Sequence, residues 1–369
     1  MDICIISTVH NLFDTRIFNK GAKSLRKAGY NVFLLGKHDK REEIEGIKII
    51  PLNPPKGLVK RVFYSIFHLN KLLKTLDAKV FHLHDPELIF LGFILKVKGK
   101  KVIYDVHEDT AEQIKTKSNL RFRSLLGLIY KFFERILTKS FYFILAEDSY
   151  EKKYSTRKKE IVRNFPRLES FPEVKKSKKT NNVMGYVGRV SKIRGIENNI
   201  EAIKLLQEEN YLIKFVCIGE IKEGFLAELE EKYGKILENV QFLGRKKTED
   251  AYKILAQESD FGIVTIFPTK NYINSYPTKL FEYMALELPV ICSDFPLYRS
   301  VVENEDCGLL VNPLNVREIC EAIKFLLNNP EEAKRKGKNG RKAVEQKYNW
   351  KNEEKKLLEF YSRILQEKI

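Results

Sequence analysis

The chain has 369 residues, of which 43% are hydrophobic, and a formal net charge of +17. This composition excludes an intrinsically disordered chain, and the length exceeds what one ordinary core accommodates, so we expect two globular domains. Residues 1–165 contain 32 Lys and Arg against 18 Asp and Glu, whereas residues 166–369 contain 34 against 31. A chain that is basic in one half only indicates a surface that faces an anionic partner.

The apolar stretches and the cysteines indicate the compartment. The longest apolar run, residues 88–97, is too short to span a bilayer, and residues 1–10 open as a strand without the basic start of a signal peptide. We therefore expect a cytoplasmic protein. Five widely spaced cysteines, without a CxxC pair, predict reduced buried thiols and no structural metal site: Cys4, Cys217, Cys292, Cys307 and Cys320.

The first half of the chain alternates strand and helix patterns. Short apolar runs rich in β-branched and aromatic residues predict strands at 3–8, 31–36, 80–84, 101–106 and 141–147. The amphipathic run 16–29 predicts a helix, and the polar, proline-containing stretch 166–182 predicts a linker. The pattern then restarts, with strands predicted at 183–187, 212–218, 239–243, 260–265, 289–293 and 308–311 and a last helix near 350–367.

Two successive strand–helix repeats predict the α/β fold class, with two facing Rossmann-like, doubly wound parallel sheets and a cleft between them. The expected domains are 1–165 and 183–349, joined by the linker 166–182. The last helix, within 350–369, is expected to pack back on the first domain. Because ligands of such sheets bind beyond the carboxyl ends of the strands, the residues after each strand are the candidates for a site.

A basic, glycine-containing loop follows the first strand of the second half. In "GYVGRVSKIRG" (185–195), Gly188 lets the backbone pass close to a ligand, and Arg189 and Arg194 can hold a diphosphate together with free backbone N–H groups. The alternative is a solvated basic turn, which would bind nothing.

A second candidate is the start of the helix in "YPTKLFEYMALELPVICSD" (276–294). Pro277 suits the first turn of a helix, so Thr278, Lys279 and Leu280 would present N–H groups at the positive end of the helix dipole. The carboxylate of Glu282, one turn further, can accept hydrogen bonds from a ribose diol. The alternative is an ordinary surface glutamate on an amphipathic helix.

These segments together resemble the retaining GT-B glycosyltransferases of glycosyltransferase family 4. The resemblance spans essentially the whole chain, although each piece alone is a weak signal. It rests on "GRVSKIRG" (188–195), the helix segment 276–294 and "ENEDCGLLV" (303–311), together with "HDPEL" (84–88), "YDVHED" (104–109) and "VRNFP" (162–166). It implies the GT-B fold, transfer of a sugar from a nucleotide-diphosphate sugar, and retention at the anomeric carbon.

The resemblance also implies roles for single residues. Arg189 and Arg194 match the Arg–Lys pair that holds the donor diphosphate, with arginine in place of the lysine, which alters its hydrogen-bond geometry. Glu282 matches the ribose ligand, the second glutamate of the E-x7-E motif. His107 matches the histidine that faces the donor sugar, where it can position the sugar or shuttle a proton.

The chain departs from the family at two positions. Asn274 stands where the first glutamate of the motif is usual, and this change puts the sugar preference in question. Glu287 stands where a glycine usually ends the helix. Since glutamate is strained in the left-handed conformation, we expect this helix end to be built differently. The first loop has no glycine, so we assign no backbone contact with a phosphate to it. The acceptor-side candidates are His10 and Arg16, which follow the first strand, and His84 and Asp85, at the end of a later strand.

The expected mechanism follows from charge. Breaking the sugar–phosphate bond places negative charge on the leaving nucleotide, and fixed cations with a helix N-terminus stabilise it. We therefore expect neither a cofactor nor a divalent metal, in agreement with the lack of an Asp-x-Asp pair. No carboxylate is a clear covalent nucleophile, so front-side attack by the acceptor is expected. His82, which lies inside a strand, is expected to be a core histidine.

Two segments of the basic half combine lysines and arginines with apolar bulk. Residues 56–74 and 121–139 each carry apolar residues at helical spacing, with the basic residues outside that stripe. Basic amphipathic helices can lie on an anionic membrane, whereas the alternative is ordinary core-facing helices with solvated lysines. We expect a saccharide or lipid-linked saccharide acceptor and a peripheral location at the inner face of the cytoplasmic membrane.

Two other functions compete with this interpretation. A sugar-nucleotide epimerase of the same architecture would also hold a nucleotide diphosphate, and it would alter the donor without an acceptor. A non-enzymatic nucleic-acid-binding protein would explain the charge of +17. However, the charge lies in one half of a nucleotide-type fold, and the sequence contains no recognisable nucleic-acid-binding motif. We therefore expect no nucleic-acid partner.

Overall fold

The computed structural model describes residues 1–107, 110–111, 114, 123–173 and 182–367. It consists of two compact units. The first contains residues Met1–Asn164 and Lys351–Ile369, and the second contains Phe165–Trp350. Parts of four predicted segments lie outside the described residues: 108–109 of the motif 104–109, 121–122 of the second basic segment, 174–181 of the linker, and 368–369 of the last segment, 350–369. The described residues of the linker, 166–173 and 182, belong to the second unit.

The first unit is built on an eight-stranded sheet flanked by helices. Its strands are β1 (Asp2–Asn11), β2 (Asn31–Lys37), β3 (Glu42–Ile44), β4 (Ile47–Leu52), β5 (Val80–Leu83), β6 (Lys101–Val106), β7 (Tyr142–Leu145) and β8 (Lys158–Ile161). Its helices are α1 (Thr15–Ala22, continued by Lys23–Lys27), α2 (Leu58–Tyr64, continued by Ser65–Leu69 and Asn70–Leu73), α3 (Ile89–Val97) and α4 (Arg123–Leu137).

The strand order of this sheet is β3-β4-β2-β1-β5-β6-β7-β8, and only the β3–β4 pair is antiparallel. The central strands are buried on both faces, which is why they read as continuous apolar runs. The sequence patterns missed β3, β4 and β8. These strands lie at or next to the sheet edges and carry exposed or half-buried charged residues, so their apolar signal is weaker.

The last helix of the chain, α13 (Trp350–Gln366), packs against the first unit. Nζ of Lys101, at the start of β6, donates to the carbonyl oxygens of Ile364 and Glu367 at 2.6 Å each. A lysine at this position neutralises the negative end of the helix dipole and satisfies carbonyls that lack helical partners. The hydroxyl of Tyr361 also lies 2.7 Å from Nδ1 of His82, deep in the same unit.

The second unit has six strands in one fully parallel sheet. They are β9 (Val183–Val187), β10 (Lys214–Ile218), β11 (Val240–Phe242), β12 (Phe261–Val264), β13 (Val290–Ser293) and β14 (Gly308–Val311), in the order β11-β10-β9-β12-β13-β14. The helices are α5 (Ile196–Glu208), α6 (Glu223–Tyr233), α7 (Thr248–Glu258), α8 (Lys270–Ile273), α9 (Thr278–Ala285), α10 (Pro296–Val302), α11 (Val316–Asn328) and α12 (Pro330–Gln346).

All six strands predicted for the second half are present. They divide the hydrophobic core of this unit into two clusters, one including Leu280, Met284 and Leu286 and the other including Met184, Ile200 and Ile263. The predicted fold class is thus confirmed: the chain has two α/β domains, each with a doubly wound, mainly parallel sheet. In each unit the order reverses beside the first strand, where such sheets bind ligands.

Candidate functional site

Two glycine loops meet at the carboxyl end of β9 and β10 in the second unit. Gly188 and Gly219 have φ values of 123° and 156°, and a Cβ on Gly219 would lie 1.9 Å from the carbonyl oxygen of Gly188. A side chain at Gly219 would therefore collide with the neighbouring loop. Glycine at both positions lets the backbone of the two loops pack closely, which places Arg189 at the end of the sheet.

Two cationic side chains border Gly188. A Cβ there would lie 3.0 Å from Nζ of Lys279 and 3.7 Å from Nη1 of Arg194. The Lys279 side chain is buried, and its Nζ donates to the hydroxyl of Tyr186 at 3.2 Å and lies 4.7 Å from the centre of that ring. Arg194 is half-buried, whereas Arg189 is exposed. Lys279 and Arg194, two of the predicted cations, thus lie beside the same loop residue.

The ammonium of Lys279 is held in an unfavourable environment. Burial, followed by repulsion from Arg194, lowers the pKa of Lys279 to about 7, although the nearby carboxylate of Glu282 opposes this shift. A bound anion would offset the repulsion between Lys279 and Arg194, and its oxygens would replace the water that the buried ammonium has lost. A lysine whose pKa is lowered in this way is a typical feature of a functional site.

The helix α9 begins close to where the sequence predicted it. Pro277 is the residue before its first turn, and Thr278 and Lys279 open it. The backbone N–H of Leu280, however, donates to the carbonyl of Pro277 at 3.0 Å, and its side chain is fully buried in the core. Leu280 therefore anchors the helix, and the expectation that its N–H faces a ligand is wrong, because the tight first turn uses that donor.

Glu282 lies one turn into α9 and is half-buried. Its neighbours Phe281 and Tyr283 are buried on either side, so the helix places the carboxylate on its less buried face. The charge of Glu282 acts on both Lys279 and Tyr252, whose pKa values it raises. A carboxylate and an ammonium are therefore held on the same short helix, three residues apart.

The two positions that depart from the family have different surroundings. Asn274 is exposed, and its Nδ2 donates to the carbonyl of Lys270 at 2.8 Å, at the end of α8. Glu287 has φ 54°, and the N–H of Leu288 donates to the carbonyl of Tyr283 at 3.0 Å. The helix end is thus the ordinary left-handed one, contrary to our expectation.

The reason for this helix end is the packing around it. A Cβ on Gly337 of α12 would lie 2.2 Å from the carbonyl oxygen of Glu287, so α12 passes directly over the turn. The chain must also enter the buried strand β13 three residues later. Both constraints fix the backbone, and glutamate accepts a conformation that costs about 1 kcal/mol.

A buried ion pair lies at the carboxyl end of β6 in the first unit. Nε and Nη2 of Arg16 donate to the two carboxylate oxygens of Asp105 at 3.0 and 2.8 Å, and both residues are buried. Burial favours the neutral acid, but the Arg16 guanidinium and the surrounding imidazoles hold the pKa of Asp105 well below its usual range. Arg16 is thereby committed to Asp105 and does not extend to the surface.

Three histidines surround the same carboxylate. Oδ2 of Asp105 lies 3.6 Å from Nε2 of His82, 3.5 Å from Nδ1 of His84 and 3.5 Å from Nε2 of His107. Burial lowers the pKa of both His82 and His84, so these two rings are neutral at physiological pH. His82 is a buried core histidine, as its position inside a strand predicted.

The remaining acceptor-side candidates differ in exposure. His10 is half-buried, with Nε2 3.5 Å from Oδ1 of Asp85. Asp85 is buried and accepts hydrogen bonds from Oγ of Ser7 at 2.9 Å and from the N–H of Thr8 at 2.5 Å. His84 and Asp85 thus hold the strand ends in place, and direct contact with an acceptor stays a prediction that suits His10 better.

The ligand atoms of His82, His84 and Asp105 lie within 4.8 Å of one another, a spacing that could surround a metal ion. Both oxygens of Asp105, however, accept hydrogen bonds from Arg16. A divalent cation at this point would lie beside a guanidinium, and like charges at such a distance repel strongly. The donor set therefore fits an ion pair better than a metal centre.

Sequence reasoning did not select Asp105 for the site. A buried charged residue near the end of an apolar strand is unusual, and the strand 101–106 was interpreted only by its apolar neighbours. Asp105 was therefore the feature of the sequence that could have indicated this part of the site. Its partner Arg16 is 89 residues away in sequence, so the pair itself could not be found without the fold.

Comparison with known proteins places this architecture in a family. The sequence profile of Glycosyl transferases group 1 matches residues 169–343, and that of Glycosyltransferase Family 4 matches residues 16–161. The structure of sucrose-phosphate synthase from Thermosynechococcus elongatus has a TM-score of 0.79 to this chain, with 17% identity and 99% of each chain covered. At that identity the likeness shows the fold.

Two curated relatives are also similar. The capsular polysaccharide biosynthesis glycosyltransferase CapM of Staphylococcus aureus is 28% identical over 187 residues, which are 51% of this chain and 47% of that protein. The phosphatidyl-myo-inositol mannosyltransferase of Mycobacterium leprae (strain TN) is 24% identical over 325 residues, covering 86% of this chain and 82% of that protein. The chain therefore belongs to glycosyltransferase family 4 and is a glycosyltransferase with the GT-B fold.

Proposed function

We propose that this enzyme transfers a sugar, with retention at the anomeric carbon, from a nucleotide-diphosphate sugar to a saccharide acceptor. The observation that carries the donor site is the buried ammonium of Lys279 beside Arg194, at the opening of α9. Two cations at a helix N-terminus favour an anion with more than one charge, such as a diphosphate. Glu282, on the same helix, then binds the ribose hydroxyls.

The proposed mechanism relies on charge stabilisation. As the sugar–phosphate bond breaks, Arg189, Arg194 and Lys279 stabilise the nucleoside diphosphate that leaves, so no divalent metal is required. The acceptor hydroxyl attacks from the same face, because no carboxylate is assigned as a covalent nucleophile, and its proton passes to the diphosphate oxygen that leaves. His107 contacts the transferred sugar, as the resemblance to the family implies. The alternative of a sugar-nucleotide epimerase is not favoured, since the relatives are glycosyltransferases.

A thermal-shift panel tests the donor site. We expect one class among UDP-glucose, GDP-mannose and ADP-glucose to raise the melting temperature of the protein by several degrees, equally with and without EDTA. Binding to the folded state alone stabilises it by mass action. If none of the three stabilises the protein, the donor assignment is wrong, and if EDTA abolishes the shift, the metal-independent mechanism is wrong. Donor incubated alone must also stay unaltered, because an epimerase would convert it.

We further propose a lipid-linked acceptor used at the inner face of the cytoplasmic membrane, in the synthesis of cell-surface polysaccharide or glycolipid. Two relatives are named for capsular polysaccharide and for phosphatidyl-myo-inositol. Among the residues that the structure describes, none of the helices has both the length and the apolar character to cross a bilayer. The support for a membrane surface comes instead from three neighbouring helices of the first unit.

Helix α4 buries a charged residue and leaves most of its apolar residues exposed. Glu134 is buried, where it accepts a hydrogen bond from the hydroxyl of Tyr154 at 2.9 Å and pairs with Nζ of Lys153 at 3.0 Å. Its apolar residues face solvent instead, with Leu128 57% and Phe132 61% exposed. This inverted arrangement argues against the alternative of an ordinary core-facing helix, for which the apolar side would be buried.

The exposed apolar side continues across α3 and α2, which pack against one another, as do α3 and α4. Phe67 is 70% exposed and stacks on Phe63, and Val97 of α3 is 73% exposed. We call this the apolar–basic face. It also carries exposed basic residues on α2 and α4: Lys60, Lys71, Lys131 and Arg135. Apolar bulk combined with positive charge suits the surface of an anionic bilayer.

Liposome co-sedimentation tests this surface. We expect the protein to pellet with phosphatidylglycerol liposomes at low salt, and to pellet far less with phosphatidylcholine or at high salt, because charge attraction is screened. The double variant Phe67→Ser/Phe132→Ser should lower the bound fraction several-fold. As a control, Leu212→Ser changes a residue of the second unit that is 68% exposed, and it should bind as the wild type does. Failure of the wild type to pellet at low salt would contradict the proposal.

A further inference from the structure

Two histidines of the first unit are joined ring to ring by a single hydrogen bond. Nδ1 of His84 lies 2.9 Å from Nε2 of His107, and the rings meet edge to face with their centres 5.1 Å apart. Between two neutral imidazoles only one proton can occupy this bond, so one ring donates and the other accepts. That choice decides which nitrogen of His107 carries its proton.

The neutral ring of His84 has one N–H group, which is either at Nδ1 or at Nε2. The side chain is buried, and burial lowers its pKa well below the usual value, so His84 carries no charge. Its Nε2 is buried and has no hydrogen-bond partner among the residues that the structure describes. If His84 accepted a proton at Nδ1, its own N–H would have to lie on that unpartnered Nε2.

The cost of an orphaned donor decides between the two forms. Buried N–H groups without an acceptor are rarer than acceptors that are not fully used. A proton on Nδ1 of His84 meets Nε2 of His107 at 2.9 Å and has Oδ2 of Asp105 at 3.5 Å. The hydrogen bond therefore runs from His84 to His107, and a neutral His107 carries its proton on Nδ1.

The surroundings of Asp105 are compatible with a neutral His107. The carboxylate is already paired with Arg16 through two hydrogen bonds, so its charge is balanced without a protonated histidine. His82 lies on the other side, with its Nδ1 2.7 Å from the hydroxyl of Tyr361. The ring of His10 lies 5.0 Å from that of His107. Nε2 of His107 belongs to this buried cluster, which leaves Nδ1 as the nitrogen that can meet a ligand.

We propose that His84 is a positioning residue that holds His107 with its proton on Nδ1, so that His107 offers the sugar a hydrogen-bond donor and not a base. This inference rests on the proposed contact between His107 and the transferred sugar. It assigns His107 to holding a sugar oxygen, and it removes His107 as the group that takes the proton from the acceptor hydroxyl.

Nitrogen-15 spectroscopy tests the proton position directly. The chain has six histidines, so a protein labelled only at histidine gives a two-bond proton–nitrogen spectrum that can be assigned by single variants. We expect the Nδ1-protonated pattern for both His84 and His107 in the whole protein near pH 7.5. The Nε2-protonated pattern for His107 would overturn the inference, whatever the enzyme transfers.

Two substitutions of His84 separate positioning from general stability. Asn can donate from its side-chain amide, so His84→Asn should leave His107 protonated on Nδ1. Asp can only accept, so His84→Asp should move the proton of His107 to Nε2, provided that the variant melts cooperatively. An unchanged pattern for His107 in a folded His84→Asp protein would show that His84 does not set the proton position.

Activity gives a second measurement. The amide of Asn lies near the position of Nδ1 and that of Gln near the position of Nε2. We expect His107→Asn to retain at least tenfold more kcat/KM than His107→Gln. Equal loss in both variants would contradict the donor role at Nδ1. Full activity in both would overturn the proposed sugar contact, whereas the spectrum would still decide the proton position.

Discussion

Replacing Glu282 with alanine is expected to lower kcat/KM for sugar transfer by about 100-fold or more, with little change in melting temperature. The carboxylate is half-buried on α9, so its removal opens no large cavity in the core. Two charge-assisted hydrogen bonds to a ribose diol are lost, and hydrogen bonds to charged groups contribute about 1.5–3 kcal/mol each. The kcat/KM of Glu282→Gln should lie between those of the wild type and Glu282→Ala, since an amide oxygen can still accept one hydrogen bond.

The measurement combines donor affinity by calorimetry with the rate of transfer to a membrane-lipid extract. Glu303→Ala provides a matched control, because Glu303 is an exposed glutamate near the end of α10 in the same unit. It should behave as the wild type does. Full transfer activity in Glu282→Ala would remove the ribose role from Glu282, and a strongly lowered melting temperature would show that the residue is structural.

Replacing Lys279 with methionine should have two opposite effects. In the ligand-free protein it removes a buried charge. Burial and the repulsion from Arg194 lower the pKa of Lys279 to about 7, below the usual value of 10.5. The unfolded chain therefore binds more protons between pH 7 and 10.5, and the stability of the wild type rises with pH across that window. Below pH 7 the penalty is fully present, so Lys279→Met should melt higher than the wild type at pH 6.

The second effect is on donor binding. We expect Lys279→Met to weaken the affinity for the nucleotide-diphosphate sugar by about 100-fold, because a desolvated charge-assisted contact with the diphosphate is lost. In the wild type the same affinity should be highest below pH 7 and fall as the pH rises above 7, since a neutral Lys279 must first take up a proton. In the variant this dependence should be absent.

Calorimetric titrations from pH 6 to 9 and melting curves over the same range check both effects. Lys192→Met is the control, because the Lys192 side chain is 69% exposed in the same turn as Arg194 and should change neither quantity much. Unchanged donor affinity in Lys279→Met would exclude Lys279 from the anion site. A lower melting temperature at pH 6 would show that the buried ammonium is stabilising. Gain of stability with loss of function is the usual mark of a residue kept for binding.

Much of this architecture could be predicted because its signals are local. The strands of the second unit are short apolar runs, of which β9, β10, β12 and β13 are largely buried on both faces, and all six were recognised. The beginning of α9 was also predictable, because Pro277 limits where a helix can start. The approach of Lys279 to the loop after β9 could also be expected, because ligands bind at the carboxyl ends of parallel strands.

What could not be predicted depends on contacts between distant parts of the chain. Arg16 was assigned to the acceptor side, yet it is committed to Asp105, 89 residues away. His84 was also expected to meet an acceptor, but its Nδ1 faces His107. At Glu287 the local preference of glutamate against the left-handed conformation predicted a different helix end. The packing of α12 over the turn outweighs that preference.

The last helix has a consequence for how the chain is made. The first unit needs both Met1–Asn164 and Lys351–Ile369, whereas the second is one uninterrupted stretch. During synthesis on a ribosome the second unit can complete its core while the first still lacks α13, the helix that Lys101 caps. The usual order, in which the N-terminal domain is finished first, is thereby reversed. A premature stop shortly before residue 351 would spare the sheet of the second unit and leave the first unit without its last helix.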